Sequence, residues 1–238
     1  MSQVPYLYAG AELELFAKAR NWKRYWVSSL PALHGDVLEV GAGAGSNISL
    51  LMRPEIRTWR CLEPDQTILE RLRERIAADP ALSRCQATRG TLAQLAPAER
   101  FHAIVYIDVL EHIEDDAREL REAAAHLAPG GMLIVLAPAH RWLYTPFDRA
   151  IGHCRRYSRT SLAGLTPPGT TLRRLFYLDS AGLLASVANR LFLKQGIPTA
   201  SQIRFWDGVL VPCSRILDAI TFHRIGKSLV AIWELTDR

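Results

Sequence analysis

This 238-residue chain predicts an α/β fold built on a doubly wound, mostly parallel sheet. Three observations predict it. Short apolar runs alternate with amphipathic helical stretches between residues 36 and 137, a glycine-rich turn (Gly41-Ala42-Gly43-Ala44-Gly45) follows the first apolar run directly, and Glu63 closes the second. Strands that alternate with helices build βαβ units, whose strands are buried on both faces and so read as continuous apolar runs.

A helix from about Ala11 to Leu30 carries aromatic residues on one side and Lys18, Arg20, Lys23 and Arg24 on the other. Val37, Leu38 and Val40 make the first strand, and Ser46 with Asn47 offers capping chemistry for a helix just after the glycine turn. Thr58–Glu63 reads as the second strand, Gln66–Ala78 as a charged amphipathic helix and Arg84–Thr88 as the third strand. Phe101–Ile107 is the fourth, Asp115–Leu127 the helix after it, and Met132–Ala137 the fifth, introduced by the turn Pro129-Gly130-Gly131. Residues 138–160 are turn-rich and basic, and Thr171–Tyr177 and Ser228–Leu235 supply strands six and seven.

Residues 179–226 are helical in period and too long for an ordinary connection within such a sheet. The expected organisation is an N-terminal helical lid at 1–35, a cofactor-binding core at 36–178, a helical insert or cap at 179–226 and the last core strand at 227–238. Within the insert, Phe205, Trp206, Val209, Leu210, Cys213, Ile216, Leu217 and Ile220 recur at helical spacing. Few Lys or Arg residues oppose that stripe, so it is expected to be core or dimer contact rather than a membrane anchor, which makes a homodimer plausible.

A hydrophobic content of 49% suffices for a sizeable core and excludes a disordered chain. The net charge of +5 permits an anionic substrate, a nucleic acid or a membrane surface without demanding any of them. No uninterrupted apolar run reaches the roughly 18 residues of a spanning helix, and the N-terminus lacks a basic region followed by an apolar core, so a cytoplasmic enzyme is expected. Four cysteines, at 61, 85, 154 and 213, show no C-x-x-C pair. They are read as small buried thiols, with no disulfide framework and no metal site expected.

Glycine is needed where backbone bends tightly and a ligand must approach without a Cβ in the way. A dinucleotide fingerprint requires G-x-G-x-x-G, and Ser46 stands where its last glycine would be. The order Glu39, Gly41, Gly43, Gly45 instead resembles the first motif of class I S-adenosylmethionine-dependent methyltransferases. Three further blocks match in order: Gly90-Thr91-Leu92 loosely, Asp108-Val109-Leu110-Glu111-His112 at the end of the fourth strand, and Leu127-Ala128-Pro129-Gly130-Gly131 before the fifth.

The resemblance implies a seven-stranded Rossmann-like methyltransferase sheet with S-adenosyl-L-methionine as cofactor. It implies cofactor contacts from Glu39, Gly41, Gly43, Gly45, Glu63 with Pro64, Thr91, Leu92, Asp108 and Val109. Glu63 is placed to accept hydrogen bonds from ribose hydroxyls, and the cofactor's sulfonium and ammonium make a carboxylate near the turn favourable. Asp108 would lie beside the methionine part. His112 is weighed between a helix-start residue that packs and a catalytic group whose ordinary pKa suits proton work.

Ligands of open parallel sheets bind outside the carboxyl ends of the strands, which puts the loops after strands four and five at the acceptor. The second loop carries Arg141, Arg149, Arg155, Arg156 and Arg159 among Trp142, Tyr144, Phe147 and Tyr157. Arginine offers bidentate donors to carboxylate or phosphate, so an anionic or aromatic small-molecule acceptor is expected, against the alternative that the arginines pair with acids such as Asp116. The segment Phe147–Ser158 also resembles one found in a group of bacterial methyltransferases of undefined acceptor. His153 and Tyr157 are the candidates for orienting or deprotonating the acceptor, and Tyr144, Arg155 and Arg156 for binding it.

Methyl transfer to an O, N or C atom is an in-line displacement, in which alignment can supply much of the rate. Two other functions stay open, a nucleic-acid methyltransferase and a non-catalytic cofactor-binding scaffold. Nucleic acid is the less expected partner, because no RNA-binding module and no Asn/Asp-Pro-Pro-aromatic motif is present.

Overall fold

The computed structural model describes residues 18–190 and 199–236. The order of elements is α1 (Arg20–Ser29), β1 (Gly35–Val40), α2 (Ile48–Leu51), β2 (Ile56–Glu63), α3 (Gln66–Ala78), β3 (Cys85–Arg89), β4 (Phe101–Ile107), α4 (Asp116–Ala125) and β5 (Leu127–Pro138). After these come α5 (Pro146–Ala150), α6 (Arg159–Ala163), β6 (Thr170–Leu178), α7 (Ser180–Ala188), α8 (Ala200–Phe205), α9 (Val211–Ile220) and β7 (Ser228–Leu235). The seven strands form one sheet in the order β3-β2-β1-β4-β5-β7-β6. β7 pairs antiparallel with both neighbours, and the other pairings are parallel.

Strand alternation sends each strand's side chains to two cores. Val37, Trp59, Val105 and Ile134 pack on one face beneath Trp22 and Trp26 of α1 and Leu69 and Leu72 of α3. Leu38, Leu62, Ile104 and Val135 pack on the other with Leu120 of α4 and Leu162 of α6. Both faces are covered, which is why β1, β4 and β5 are apolar throughout. Among the described residues no helix is long and apolar enough to cross a membrane.

Several local expectations are corrected. Neither Ser46 nor Asn47 caps α2 through its side chain: Asn47 is itself in the helical region at φ −101°, and its side chain bonds Glu39 instead. The Ser46 hydroxyl accepts from Lys23 Nζ at 2.7 Å. The Pro129-Gly130-Gly131 turn lies within a continuous β5, where Gly130 at φ +67° accompanies a register shift against β4. Cys61 and Cys85 are buried, whereas Cys154 and Cys213 are exposed. The part of the expected first helix before residue 18 lies outside the described residues, as do insert residues 191–198.

The insert stripe does not all turn inward. Phe205, Val209, Ile216 and Ile220 are exposed, while Ile203 and Val211 are buried. Residues Trp206–Leu210 wind as a π-helix just before Pro212, whose missing N–H breaks the regular ladder. That extra winding rotates α9 relative to α8, so one helical period across 205–220 does not mark one face.

The insert is fastened to the sheet by buried carboxylates. Asp218 accepts from the Tyr25 hydroxyl at 2.7 Å and from the backbone N–H groups of Asp179 and Ser180 at 2.7 and 3.0 Å. Asp179 in turn accepts from Ser214 Oγ and Trp206 Nε1, both at 2.8 Å. Asp207 accepts from the Trp22 N–H at 2.8 Å, so α1 and the insert share one face of the sheet.

Candidate active site

The glycine turn separates packing from ligand space. Gly41, Gly43 and Gly45 all have positive φ, at +67°, +56° and +72°. A Cβ on Gly41 would meet Val109 at 2.7 Å and one on Gly45 would meet Leu72 at 2.5 Å, whereas one on Gly43 would meet nothing within 4 Å. The first and last glycines are thus required by protein packing, and the middle one opens onto free space. Beside it the buried Glu63 carboxylate accepts from the Gly43 N–H at 2.9 Å and the Asp65 N–H at 3.0 Å. Burial pushes its carboxyl up and those two N–H groups oppose the shift, while each oxygen keeps lone-pair capacity for a further donor. Open space over a glycine with a carboxylate beside it fits the ribose end of a nucleoside cofactor.

Replacing Gly43 by alanine is expected to cost about 1 kcal/mol of stability, for a non-glycine residue at positive φ, and to weaken S-adenosylhomocysteine binding about tenfold or more. Denaturant titration and calorimetry on the same variant read the two effects apart; unchanged affinity counts against this position of the cofactor.

Glu39 lies beneath the turn on the α1 face of the sheet. It is 1% exposed and accepts from Trp59 Nε1 at 3.1 Å. Burial pushes its carboxyl up to about 7, with Trp59, Asn47 and nearby Lys23 pulling the other way. Lys23 is drawn down to about 8, chiefly by burial and then by Arg75. Glu39 therefore braces α1 and the turn from below. Between its ordinary 4.5 and about 7, the folded state holds a proton that the unfolded chain releases, so stability falls as pH rises through that window and levels off above it. The expected loss is on the order of 3 kcal/mol. Glu39→Gln should flatten this slope in denaturant titrations from pH 4.5 to 8.

The carboxyl ends of β4, β5 and β6 carry backbone strain. Asp108 after β4, His140 after β5 and Asp179 after β6 all have positive φ, at +53°, +66° and +69°. Non-glycine residues adopt this region at a cost, and such residues gather at functional sites. Asp108 is open to the cleft, yet protein crowds it closely enough to raise its carboxyl, against the pull of His153, Lys227, Arg156 and Lys23. Val109 packs on Gly41. Pro64 and Thr91 are exposed, and Thr91 bonds the Gln94 side chain at 3.1 Å, while Leu92 is buried in the core under α4.

The basic loop turns its chemistry inward. Arg155 Nη1 pairs with Asp116 at 2.7 Å, and Arg156 Nε donates to Asp148 at 2.8 Å. The Tyr157 hydroxyl is buried and donates to Asp116 at 2.8 Å and to the Leu110 carbonyl at 3.2 Å, and burial and Asp116 drive its acidity down. Tyr144 donates to the His153 carbonyl at 2.7 Å. Arg155 and Tyr157 tie the loop to the segment after β4, while Arg156 and Tyr144 bond within it. Of the acids anticipated as arginine partners Asp116 is used; Asp148 was not foreseen.

His153 sets its ring, about 10% exposed, among other titratable groups. Its Nδ1 lies 3.0 Å from Asp148 Oδ1 and its Nε2 lies 3.7 Å from Glu111 Oε1. The His112 ring stands edge-on to it, 4.7 Å between centroids, and burial draws His112 down to about 4. Lys227, just before β7, faces Asp108, Asp148 and Asp179 with its Nζ 5.5 Å from the Trp206 ring, and burial lowers it. Sequence reading missed Lys227, Glu111 and Asp148 as members of the site. The Thr145-Pro146-Phe147-Asp148 capping box was the readable signal for Asp148, and its carboxylate does accept from the Thr145 N–H at 2.8 Å.

This strand order, with a glycine turn after β1 and an acid ending β2, defines the Rossmann-like methyltransferase class. The chain belongs to the methyltransferase-domain family, whose model matches residues 9–166. It is 30% identical over 130 residues to the ubiquinone biosynthesis O-methyltransferase of Bradyrhizobium diazoefficiens, across 53% of this chain and 49% of that one. The chain thus spans about half the length of the curated relatives it matches. Among solved structures, the N-methyltransferase NodS of Bradyrhizobium japonicum, in complex with S-adenosylhomocysteine, superposes with a TM-score of 0.57 at 17% identity, covering 92% of this chain and 86% of NodS. The [4+2]-cyclase SpnF superposes with a TM-score of 0.60 at 17% identity, covering 92% and 81%. N-methylation and cyclisation on one fold mean that the fold does not choose the reaction.

Proposed function

We propose that the protein transfers a methyl group from S-adenosylmethionine to a hydroxyl of a small-molecule acceptor at the carboxyl ends of β4 and β5. The observation that carries this reading is the open space over Gly43 with the Glu63 carboxylate at its edge. Glu63 would hold the ribose hydroxyls, the Gly41–Gly43 backbone would pass close to the cofactor, and Asp108 would face its methionine part. The bound cofactor supplies a methyl group already activated on a sulfonium. The remaining work falls to the protein and is mainly alignment and the exclusion of water.

A hydroxyl acceptor is favoured over an anionic one by the loop itself. Arg155 and Arg156, the two arginines proposed for anion binding, are spent on Asp116 and Asp148. The curated relative named as an O-methyltransferase supports the same choice. A hydroxyl must lose its proton on transfer, and His153 is the group at hand: Asp148 holds Nδ1 as the N–H and leaves Nε2 as the acceptor. The test is a mass-spectrometric screen of phenols, alcohols, amines and carboxylic acids with methyl-labelled cofactor. Labelled product from a hydroxyl compound supports the reading, labelled product only from amines or acids sinks the acceptor class, and cofactor binding without any product sinks methyl transfer.

A further inference from the structure

Two loops meet behind the acceptor side of the cleft. The first is the single turn Leu110–His112 after β4, and the second is the segment after α5 that carries His153. A backbone bond fixes them to each other, the Cys154 N–H donating to the Glu111 carbonyl at 2.7 Å, and the second is closed on itself by the His153 N–H, which donates to the Asp148 carbonyl at 2.8 Å. Glu111 is 0% exposed, and among the described residues no other residue donates a hydrogen bond to its carboxylate oxygens; only its own backbone N–H opposes the rise that burial imposes on it. Such a group is expensive to keep. An ionised carboxylate without a partner pays for its lost hydration, and a neutral one still buries an O–H with no acceptor.

The surroundings indicate what the group is kept for. One ligand atom from each of Glu111, His112 and His153 lies within 4.8 Å of the others. The 3.7 Å between His153 Nε2 and Glu111 Oε1 is too long for a hydrogen bond. It is close to the separation of about 3 to 3.5 Å between neighbouring ligands of an ion bound at about 2.1 Å from each. On the far side of the ring, Asp148 receives His153 Nδ1 at 3.0 Å, the outer carboxylate that orients a metal-binding imidazole and fixes its tautomer. Asp148 is itself held by the Thr145 hydroxyl and Arg156, each at 2.8 Å.

We propose that Glu111, His112 and His153 bind one divalent first-row transition-metal ion of the Zn2+ type, with Asp148 as the positioning residue behind His153. Two imidazoles and one carboxylate are a borderline nitrogen and oxygen donor set, suited to Zn2+, Co2+ or Fe2+ rather than to Mg2+ or Ca2+. Three protein ligands leave a coordination position, as in catalytic rather than structural zinc sites. With the ion bound, His153 Nε2 is a ligand and no longer a base, and the ion itself would lower the proton affinity of an acceptor hydroxyl. That consequence rests on the methyl-transfer reading; the ion site itself does not. Sequence spacing hid the site because its third ligand comes from another loop.

The test titrates the metal-stripped full chain with Zn2+ by calorimetry and with Co2+ by visible absorption. One equivalent should bind, with d–d bands of a low-symmetry Co2+ site and a raised melting temperature. Glu111→Gln and His153→Ala should weaken binding about tenfold or more, and Asp148→Asn about 10- to 100-fold, while His34→Ala, exposed and remote from the loops, should bind as the unaltered chain does. Absence of a stoichiometric ion, or equal affinity in Glu111→Gln and the unaltered chain, overturns the proposal. If the variants fail to fold, the Co2+ spectrum of the unaltered chain decides, and a spectrum without bands overturns it. S-adenosylhomocysteine titrated into the same metal-free protein separates failure of the ion site from failure of the cofactor site.

Discussion

Glu63→Ala is expected to lower the affinity for S-adenosylhomocysteine by about two orders of magnitude while leaving the chain folded. Hydrogen bonds to a charged group contribute about 1.5 to 3 kcal/mol each, and every 1.4 kcal/mol is tenfold in affinity. Glu63 would make two such bonds to the ribose and already holds Gly43 and Asp65 through their N–H groups at 2.9 and 3.0 Å. Alanine therefore removes the ribose partner and also frees the turn that shapes the site. Glu63→Gln keeps the volume and one acceptor oxygen, so an intermediate loss is expected. Calorimetry with S-adenosylhomocysteine, with circular dichroism to verify folding, checks both variants. A folded Glu63→Ala protein that binds within threefold of the unaltered chain would remove Glu63 from the cofactor site.

Asp218→Ala is expected to cost about 3 to 5 kcal/mol of stability, the largest effect anticipated for any single change outside the sheet. The carboxylate is fully buried and takes three hydrogen bonds, from the Tyr25 hydroxyl and the Asp179 and Ser180 N–H groups. Removing it leaves three buried donors without an acceptor, and each unsatisfied donor costs about 1 to 3 kcal/mol before the site relaxes. For a chain of this size about 1 kcal/mol corresponds to roughly 2 to 4 °C in melting temperature. Tyr25→Phe removes one donor together with its need, and should cost about 1 kcal/mol. The double variant should lose less than the sum of the two, because both act on one bond. Denaturant titration of the three proteins gives these values. A loss below 1 kcal/mol for Asp218→Ala would mean that the insert is held by its apolar contacts instead.

The Asp218 network also links the cleft to the insert. Its partner Asp179 sits in left-handed backbone at the end of β6, and Asp179 accepts from Trp206, whose ring faces Lys227 in the cleft. Loosening Asp218 should therefore disturb the acceptor side before the Gly43 and Glu63 side, which is bonded within β1, β2 and the turn between them.

Strand and helix positions in the core were legible because they depend on neighbours in the chain. Gln66–Ala78, Phe101–Ile107 and Ser228–Leu235 fall where apolar periodicity put them, each set by a hydrophobic pattern and bounded by local punctuation. The glycine turn was legible for the same reason: φ > 0 at Gly41, Gly43 and Gly45 is a local backbone demand that glycine meets at little cost. The phase of the insert was not, because a π-helical segment resets the period between Phe205 and Val211.

Residue partnership depended on contacts between remote segments. Arg156 meets Asp148 within its own loop, whereas nothing near Arg155 or Tyr157 in sequence says that both meet Asp116, and only the meeting of the β4 and β5 loops turns those two into an internal brace. The same meeting sets Glu111 against His153. Residue type and spacing disclose that a chain has a cofactor-sized turn and the strands to carry it, since both are encoded over a few residues. Which charges remain available to a ligand depends on burial and on pairing across the fold, and those follow from packing in three dimensions.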